Sequence, residues 1–406
     1  GKLNVNAPTV TLDDINDKYN GIKMANEVVT ISNSTNVTGN VSSTNIKGQG
    51  LSMGSLNGVT SNSTTGFVNE GTINVTGGTA ANGIAGMNVS YGTIKNGTAT
   101  GSTASVTIDN GAGIYGTNGS KLENYGTINV TGSGAGIAAR GTDKSVKQNY
   151  GTDVLSSLNS NTIEIDNHGT LNVAGSSPIG IYADNNTRAA RAKVVVKNDA
   201  QLTVGTDGVG IAVMASNIES AQTQNGLPVA GVDHGASSNE GGTITVTATG
   251  TGSDIITGVN GKGIYAQNSD INLIGVDYVI ETPEKGIGIF ASGNTNVTGT
   301  LEYKYNGSAT GTGMGIVYDS AVTNNAKVKL TNATNTTGGM VGVYTTAGAG
   351  NTLTNNGDIT GSSTALEFGI VSDGADIVNN KTITLGNAAS QTDANVGIYS
   401  KAKNTI

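Results

Sequence analysis

Acidic residues are the first candidates for chemistry, because most glycosidases use two carboxyl groups held several ångström apart. The chain carries Asp13, Asp14 and Asp17 close together near its start and otherwise single Asp or Glu residues. The repeats described below align no carboxylate pair on neighbouring units of one face, and the Asp13–Asp17 cluster is typical of a solvated loop. The sequence therefore gives little support to an enzyme, and a polysaccharide lyase or hydrolase stays as the third functional alternative.

Metal and cofactor sites have equally little support. The chain has no Cys and two histidines, His168 and His234, which lie far apart in sequence. His168 stands where other repeats carry Glu70 and Tyr125, which predicts an outward position in a turn. No calcium-binding Gly-Gly-x-Gly-x-Asp repeat occurs, and the isolated Gly-x-Gly pieces have no helix behind them to hold a phosphate. We therefore predict no catalytic, metal or cofactor site.

Charge and composition exclude further classes of protein. The net charge of −8 disfavours nucleic acid as a partner, because binding to phosphates needs clustered Lys and Arg. No apolar run reaches the roughly 18 residues of a membrane-spanning helix. Gly accounts for 62 of 406 residues, whereas charged residues make up 12% and aromatic residues 4%. These proportions favour a repetitive β architecture over a helix-and-sheet enzyme core, and Gly lacks the three-residue period of collagen.

Basic residues in this acidic chain are candidates for binding a partner. One group consists of Arg140, Lys144 and Lys147 beside Tyr150, and a second contains Arg188 and Arg191. The second group continues with two further lysines at positions 193 and 197 and could attract sialic acid or an acidic partner. The alternative interpretation is a disposable surface insertion for the first group and a solvated loop for the second.

Aromatic residues are the second set of binding candidates. They follow a recurring Gly-Ile or Gly-Val dipeptide, and if the Ile points inward the next residue points outward. In the second half of the chain that outward position is occupied by Tyr265, Phe290, Val317, Tyr344, Val371 and Tyr399. An outward apolar column predicts a contact surface, and its aromatic members suit the C–H faces of sugar rings. The alternatives are a stack covered by neighbouring turns or an inverted register.

The Gly-Ile signature that places these side chains is periodic. Its copies begin at Gly113, Gly136, Gly180, Gly210, Gly263, Gly288, Gly315, Gly342, Gly369 and Gly397, with weaker early copies at Gly21, Gly50 and Gly83. Most successive copies are 23 to 33 residues apart. The two longer intervals, of 44 and 53 residues, predict protruding insertions at 140–161 and 216–240. The second interval could instead hold one degenerate repeat.

A second recurring element, Asn-x-Gly-Thr-Ile-Asn-Val, alternates apolar and polar residues as a strand with one buried face does. It begins at Asn69, Asn124 and Asn167, with looser copies around Ile244 and Ile383. A third apolar strand precedes it in several repeats. Each repeat is therefore predicted to be three short strands joined by turns rich in Asn, Gly and Asp.

A unit of this size cannot bury its apolar face alone, but stacked turns of one coil can. The sequence predicts a parallel β-helix of about fifteen three-strand rungs, spaced about 4.8 Å apart. One inward column is expected to contain Ile73, Ile128, Leu171 and Ile244, and another to contain Ile114, Ile181, Ile264 and Ile289. The residues Asn69, Asn124, Asn167 and Asn198 are expected to form an amide ladder. A β-sandwich array is the alternative, and it would require antiparallel pairing.

These degenerate repeats resemble the passenger domains of type V autotransporters, and the Asn, Gly and Thr bias without Trp or Cys looks most like the large fusobacterial outer-membrane adhesins. The resemblance covers essentially the whole chain through short motifs. It implies a right-handed β-helix, export to the bacterial cell surface and a role in adhesion or coaggregation. It also implies a parent protein that is tethered by an outer-membrane barrel. The final stretch from Lys401 to Ile406 does not show the alternating residues and terminal aromatic of a barrel strand.

The functional expectation combines these observations. We expect one continuous β-helical segment of a longer protein, without a leader at Gly1 and not embedded in a membrane. Its loops and one edge are expected to bind a host cell-surface protein or glycan, or the surface of another bacterium. A structural stalk that only extends a distal binding tip is the first alternative.

Overall fold

The computed structural model describes most of the 406-residue chain. The described residues are 2–15, 22–24, 28–41, 49–53, 66–79, 83–90, 92–117, 119–141, 162–185, 193–215, 223–224, 227–228, 243–332, 338–361, 365–386 and 395–401. The chain divides into two compact units. The first unit contains residues 1–198 and 214–245, and the second contains residues 199–213 and 246–406.

The first unit is built from short strands. They are β1 (Lys2–Val5), β2 (Thr9–Ile15), β3 (Ile22–Met24), β4 (Val28–Ile31), β5 (Asn36–Val41), β6 (Gln49–Met53), β7 (Gly66–Asn69), β8 (Thr72–Thr76), β9 (Ile84–Ser90), β10 (Thr93–Asn96), β11 (Ser105–Ile108), β12 (Gly111–Thr117), β13 (Lys121–Asn124), β14 (Thr127–Val130), β15 (Gly134–Arg140), β16 (Ile163–Asn167), β17 (Thr170–Val173), β18 (Ile179–Asn185), β19 (Lys193–Asn198), β22 (Thr223–Gln224) and β23 (Leu227–Pro228).

The second unit repeats the pattern. It contains β20 (Leu202–Val204), β25 (Ile255–Thr257), β26 (Lys262–Gln267), β27 (Asp270–Gly275), β28 (Tyr278–Thr282), β29 (Ile287–Ser292), β30 (Asn296–Tyr305), β31 (Thr312–Tyr318), β32 (Thr323–Asn332), β33 (Gly339–Thr345), β34 (Thr352–Asn355), β35 (Ile359–Gly361), β36 (Glu367–Ser372), β37 (Asp376–Asn379), β38 (Ile383–Thr384) and β39 (Val396–Ser400). The strands β21 (Val209–Ala215) and β24 (Thr243–Gly250) have residues in both units.

The strands stack as a β-solenoid in which each turn contributes a first, a second and a third strand. In the first unit, first strands pair in parallel with first strands, as β10 does with β13. Second strands pair likewise, as β11 does with β14, and so do third strands, as β12 does with β15. The prediction of parallel stacking is confirmed and the antiparallel sandwich is wrong. The right-handedness and the expected number of rungs stay predictions.

The second unit follows the same order with one variation. Its first and second strands are merged in β30 and β32, which are ten residues long and pair with each other in parallel. The merged β30 pairs with β27 through its first part and with β28 through its second part. Gly299 lies at the junction between these two parts. Its φ of 93° is in the left-handed region of the backbone, which explains why this position is occupied by glycine.

Inward side chains form the aliphatic columns that the period predicts. Ile73, Val106, Ile128 and Leu171 lie in register, and all are at most 3% exposed. Ile114, Ile137 and Ile181 form the corresponding column of third strands in the first unit. In the second unit Ile264, Ile289, Ile316, Val343, Ile370 and Ile398 follow one another in register.

Ile244 is the exception among the predicted core residues. Its side chain is buried, but it lies in β24, which precedes β25 within the same turn. Since β25 pairs with the second strand β20, β24 is a first strand. Assigning Ile244 to the column of second strands is therefore wrong. The sequence before it, Asn239-Glu240-Gly241, resembles the corner of a second strand but has one extra Gly before Thr243, and alternation alone fits either strand.

A buried ladder of asparagine amides runs along the corner between first and second strands of the first unit. Each amide Nδ2 donates to the Oδ1 of the next rung at 2.8–2.9 Å, linking Asn69, Asn96, Asn124, Asn167 and Asn198. All five residues are at most 1% exposed. The predicted ladder is confirmed, and Asn96 extends it. A shorter ladder links Asn324, Asn355 and Asn379 in the second unit.

The glycine of the Asn-x-Gly corner lets each rung approach the one before it. A Cβ on Gly169 would overlap the carbonyl oxygen of Gly126, which accepts a hydrogen bond from the Thr170 amide. Gly126 itself is in the same position against the carbonyl of Ala104. The motif therefore combines a buried amide with a corner where no side chain fits.

Replacing the corner glycine tests this steric account. We expect Gly169→Ala to lower the free energy of unfolding by about 2 kcal/mol or more, because the backbone of the preceding rung cannot move without losing its hydrogen bond. Gly205→Ala is the matched control, since nothing lies within 4 Å of the added Cβ. The control is expected to change stability by about 1 kcal/mol or less. Equal effects in urea denaturation would contradict the account.

Breaking the amide ladder is expected to be comparably damaging. Asn124→Ala leaves an amide donor on Asn96 and an amide acceptor on Asn167 without their partner. Buried groups that lose a partner cost about 1–3 kcal/mol each, so we expect a loss of about 2–4 kcal/mol. The control Asn172→Ala removes an exposed amide that donates to Asn129, and water replaces it there. Urea denaturation measures both variants, and a ladder variant as stable as the control would refute the assignment.

Candidate functional site

The candidate aromatic residues form one continuous column on the third strands of the second unit. Tyr265 lies in register with Phe290, Phe290 with Val317, and Val317 with Tyr344. Tyr344 then lies in register with Val371, and Val371 with Tyr399. We call these six residues the aromatic column. The Ile or Val before each of the first five residues of the column is fully buried, whereas the aromatic members are half-buried or exposed, so the alternative of an inverted register is wrong.

The aromatic column is partly covered by its own members. Tyr265, Phe290 and Tyr344 are half-buried, and Tyr399 is 47% exposed. Val317 and Val371 are only 2% and 6% exposed, each lying between two larger side chains of the column. The rings of Tyr265 and Phe290 stack with centroids 5.5 Å apart and planes 11° from parallel. Because the stacked faces of Tyr265 and Phe290 are turned towards each other, this pair presents mainly its ring edges and outer surfaces.

A second outward column lies beside the first. Ile287, Met314, Val341, Phe368 and Val396 follow one another in register and are all half-buried. We call them the second apolar column, and the two columns together the apolar face. The ring of Phe368 meets that of Tyr399 edge to face at 6.4 Å, which joins the columns.

The dimensions of the apolar face follow from strand geometry. Six rungs spaced about 4.8 Å apart give a height of about 24 Å. The columns are three residues apart along a strand, which at about 3.3 Å per residue gives a width near 10 Å. The resulting area is about 250 Å², well below the roughly 800 Å² per partner of a stable protein–protein interface. The face therefore fits a narrow ligand better than a broad protein surface.

The equivalent positions of the first unit are mostly polar or small. The aromatic position is held by Ser52, Asn88, Tyr115, Ala138 and Tyr182. The neighbouring position is held by Gln49, Ala85, Ala112, Ala135 and Ile179. The continuous apolar face is thus a property of the second unit among the residues described.

Among the basic candidates, Arg140 has a described position. It ends β15 and forms an ion pair with Asp184 of β18, with Nη2 and Oδ2 3.2 Å apart. Its side chain is 57% exposed, and the Tyr182 hydroxyl donates to the same carboxylate at 3.3 Å. Burial raises the pKa of Tyr115 and of Tyr182 above the usual value. Arg140 therefore belongs to a cluster with two tyrosines and a carboxylate.

The other candidates of the two basic groups, four basic residues and one tyrosine, lie outside the described residues. They are Lys144, Lys147, Tyr150, Arg188 and Arg191. The insertion predicted at 140–161 also lies outside them beyond residue 141, as does most of the insertion predicted at 216–240. Two short strands, β22 and β23, pair antiparallel within the second interval. Both predicted protrusions stay predictions.

A related cluster stands at the end of the aromatic column. Lys401 Nζ pairs with Asp373 Oδ1 at 2.6 Å and approaches the Tyr344 hydroxyl at 3.1 Å. The Tyr344 hydroxyl also lies 2.6 Å from Asp373 Oδ2, and Lys401 Nζ lies 5.3 Å from the centre of the Tyr344 ring. Asp373 and the Tyr344 hydroxyl raise the pKa of Lys401, which keeps the ammonium charged.

Carboxylates do meet on neighbouring rungs, contrary to the expectation from sequence. Glu123 and Asp166 are register partners in β13 and β16. Glu123 pairs with Lys95 at 3.2 Å and Lys121 at 2.9 Å. Burial alone would raise the pKa of Glu123, but these two ammonium groups hold it below its usual value. A general acid needs a raised pKa, so Glu123 is unsuited to that role, and its ion pairs give it a structural one.

His168 occupies the outward turn position that the repeat alignment predicts. Its Nε2 lies 2.9 Å from Asp166 Oδ1, and its ring stacks on that of Tyr125 with centroids 4.8 Å apart. In the acidic cluster near the start, Asp13 and Asp14 lie in strand β2, so the interpretation of these two residues as part of a loop is wrong. Asp17 lies outside the described residues, as does the second histidine, His234. Within those residues no group of three His, Cys, Asp or Glu is placed to hold a metal ion.

Several residues of these clusters were not among the sequence candidates. Tyr115 and Tyr182 appear in the Gly-Ile-Tyr copies, but the register neighbours of Tyr115 are Asn88 and Ala138, and Ala138 is also a neighbour of Tyr182. Asp184, Asp373 and Lys401 each follow the aromatic position by two residues, so the same period could have found them. None of the described residues belongs to a helix that is long and apolar enough to cross a membrane.

Comparison with known proteins gives no relative. No family model matches the chain, and neither a curated protein nor a solved structure matches it significantly.

Proposed function

We propose that this chain is a segment of a bacterial cell-surface adhesin, exported as the passenger of an autotransporter and held at the outer membrane by a barrel in its parent. Its apolar face would bind a ligand on a host cell or on another bacterium without covalent chemistry or a cofactor. The observation that carries the proposal is the aromatic column, whose six outward apolar residues, four of them aromatic, lie in register on successive rungs.

A role in binding is supported by the difference between the outward residues of the second strands and those of the apolar face. Outward positions of the second strands hold polar residues, as Asn74, Thr107, Asn129 and Asn172 do in one register column. Those positions show that this fold stacks well with a hydrated outer surface. A continuous apolar face at positions where polar residues would stack equally well supports a role in binding.

The shape of the apolar face argues for a narrow ligand. A strip about 24 Å long and 10 Å wide matches a short oligosaccharide or an extended peptide. The accessible parts of the aromatic rings offer apolar surface to the C–H groups of sugars, and Asp373 and Lys401 supply polar groups at the end of the column. We propose a glycan or an extended segment of a surface protein as the ligand class.

Replacing two aromatic side chains of the aromatic column tests the proposal. The double variant Tyr265→Ser and Phe290→Ser removes the stacked pair but keeps the ion pair of Asp373 and Lys401. Each lost aromatic contact is worth about 1 kcal/mol, so we expect at least a tenfold loss of affinity. Binding of the fluorescently labelled 406-residue chain to cultured epithelial cells and to a panel of bacteria provides the measurement.

The control is the double variant Asn129→Ala and Asn172→Ala, which alters an outward column of second strands in the first unit. It is expected to bind as the unmodified chain does, and circular dichroism checks that both variants keep their β-structure. An unmodified chain that binds none of the cells would favour the stalk alternative. Equal binding by the unmodified chain and the aromatic variant would remove the apolar face from the proposal.

A further inference from the structure

A cluster in the first unit combines two aromatic rings with an ion pair. Tyr115 of β12, Ala138 of β15 and Tyr182 of β18 lie in register on three successive rungs. The two tyrosines are thus two rungs apart, which is about 9.6 Å between their backbones. Ala138 lies between them and is 8% exposed, so the site is formed by the two half-buried tyrosines and by the groups at the ends of the same strands.

The ion pair lies at the end of the same strands. Arg140 and Asp184 are register partners, each two residues after the aromatic position. The side chain of Asp184 is 10% exposed and accepts hydrogen bonds from both the Arg140 guanidinium and the Tyr182 hydroxyl. Arg140 is 57% exposed, and a guanidinium has five N–H donors, so Arg140 presents donors to solvent while Asp184 fixes its position.

The same combination of groups is built a second time from other residues. In the second unit Tyr344, Asp373 and Lys401 meet within hydrogen-bonding distance. The order of charges is reversed, because the cation precedes the carboxylate in the first unit and follows it in the second. If one cluster had arisen by duplication of the repeats that carry the other, the order of cation and carboxylate along the chain would be the same in both. The recurrence therefore points to a demand for tyrosine, cation and carboxylate together.

We propose that Tyr115, Tyr182 and Arg140 form a site for one uncharged pyranose ring with neighbouring hydroxyl groups, and that Asp184 positions Arg140. The proposal deepens the adhesive function proposed above and rests on it. A sugar ring offers C–H groups to a tyrosine face and hydroxyl oxygens to the guanidinium. Because Asp184 neutralises the charge of Arg140, an anionic ligand gains little additional attraction. The shallow, open setting fits the end of a glycan chain.

Saturation-transfer NMR on the full chain tests the site with three probes, the methyl glycosides of galactose, glucose and mannose. We expect transfer to the ring C–H protons of at least one of them. The variants Tyr182→Ser and Arg140→Met should each reduce that transfer at least fivefold, whereas Tyr182→Phe, which keeps the ring, should stay within about twofold. The absence of transfer from all three sugars would overturn the proposal, as would full transfer to Tyr182→Ser.

Two further arms separate related outcomes. The variant Tyr265→Ser with Phe290→Ser lies in the other unit, so it should leave the transfer unchanged even if cell binding is lost. Loss of transfer in that variant would overturn the assignment to Tyr115 and Tyr182. Tighter binding of a methyl sialoside than of any neutral glycoside would overturn the uncharged ligand. A glycoprotein and a bacterial polysaccharide that carry the bound sugar are then used as competitors, and the site requires that at least one of them displaces the glycoside.

Discussion

In-register stacking of parallel strands is the constraint on which this protein depends. Backbone hydrogen bonds hold each rung about 4.8 Å above the last, so every side chain has the equivalent residue of the next turn as its neighbour. Aliphatic residues satisfy this condition by packing, as Ile114, Ile137 and Ile181 do. Amides satisfy it because each one both donates and accepts, which allows a buried ladder through Asn124. Charged residues satisfy it only with opposite signs close by.

Several charged residues on the outward side of the strands follow this condition. Arg140 stands over Asp184, and Asp373 stands beside Lys401. Glu123 and Asp166 are like charges on neighbouring rungs, and they are tolerated because Lys95, Lys121 and His168 pair with them. Ion pairs are thus one way in which a stacked architecture carries charge. The proposed use of Arg140 in binding would be an addition to this structural role, because Arg140 still exposes donors beyond those that Asp184 occupies.

The period made most of the fold predictable from sequence, since a residue's place in the repeat determines its neighbours. The inward column through Ile264 and Ile289, the aromatic column and the amide ladder all followed from it. Ile244 was misplaced because alternation alone does not distinguish first strands from second strands. The sequence did not predict the second apolar column, because Gly288 and Ile289 both point inward. A Cβ on Gly288 would lie 3.1 Å from the Tyr303 ring. The outward neighbour of Phe290 is therefore Ile287, three residues away, which a period of two does not predict.

The apolar face has two physical roles that differ along its length. In its middle, Val317 and Val371 are nearly covered by the rings beside them, so the column there stabilises its own stack. Tyr399, at 47% exposure, and the stacked rings of Tyr265 and Phe290 lie towards its ends. A surface needed only for stacking could carry Thr and Asn, as the second strands do, and would be better hydrated. Rings that remain accessible beside covered valines are therefore the part of the face that stacking does not explain, and a ligand would find its contacts there.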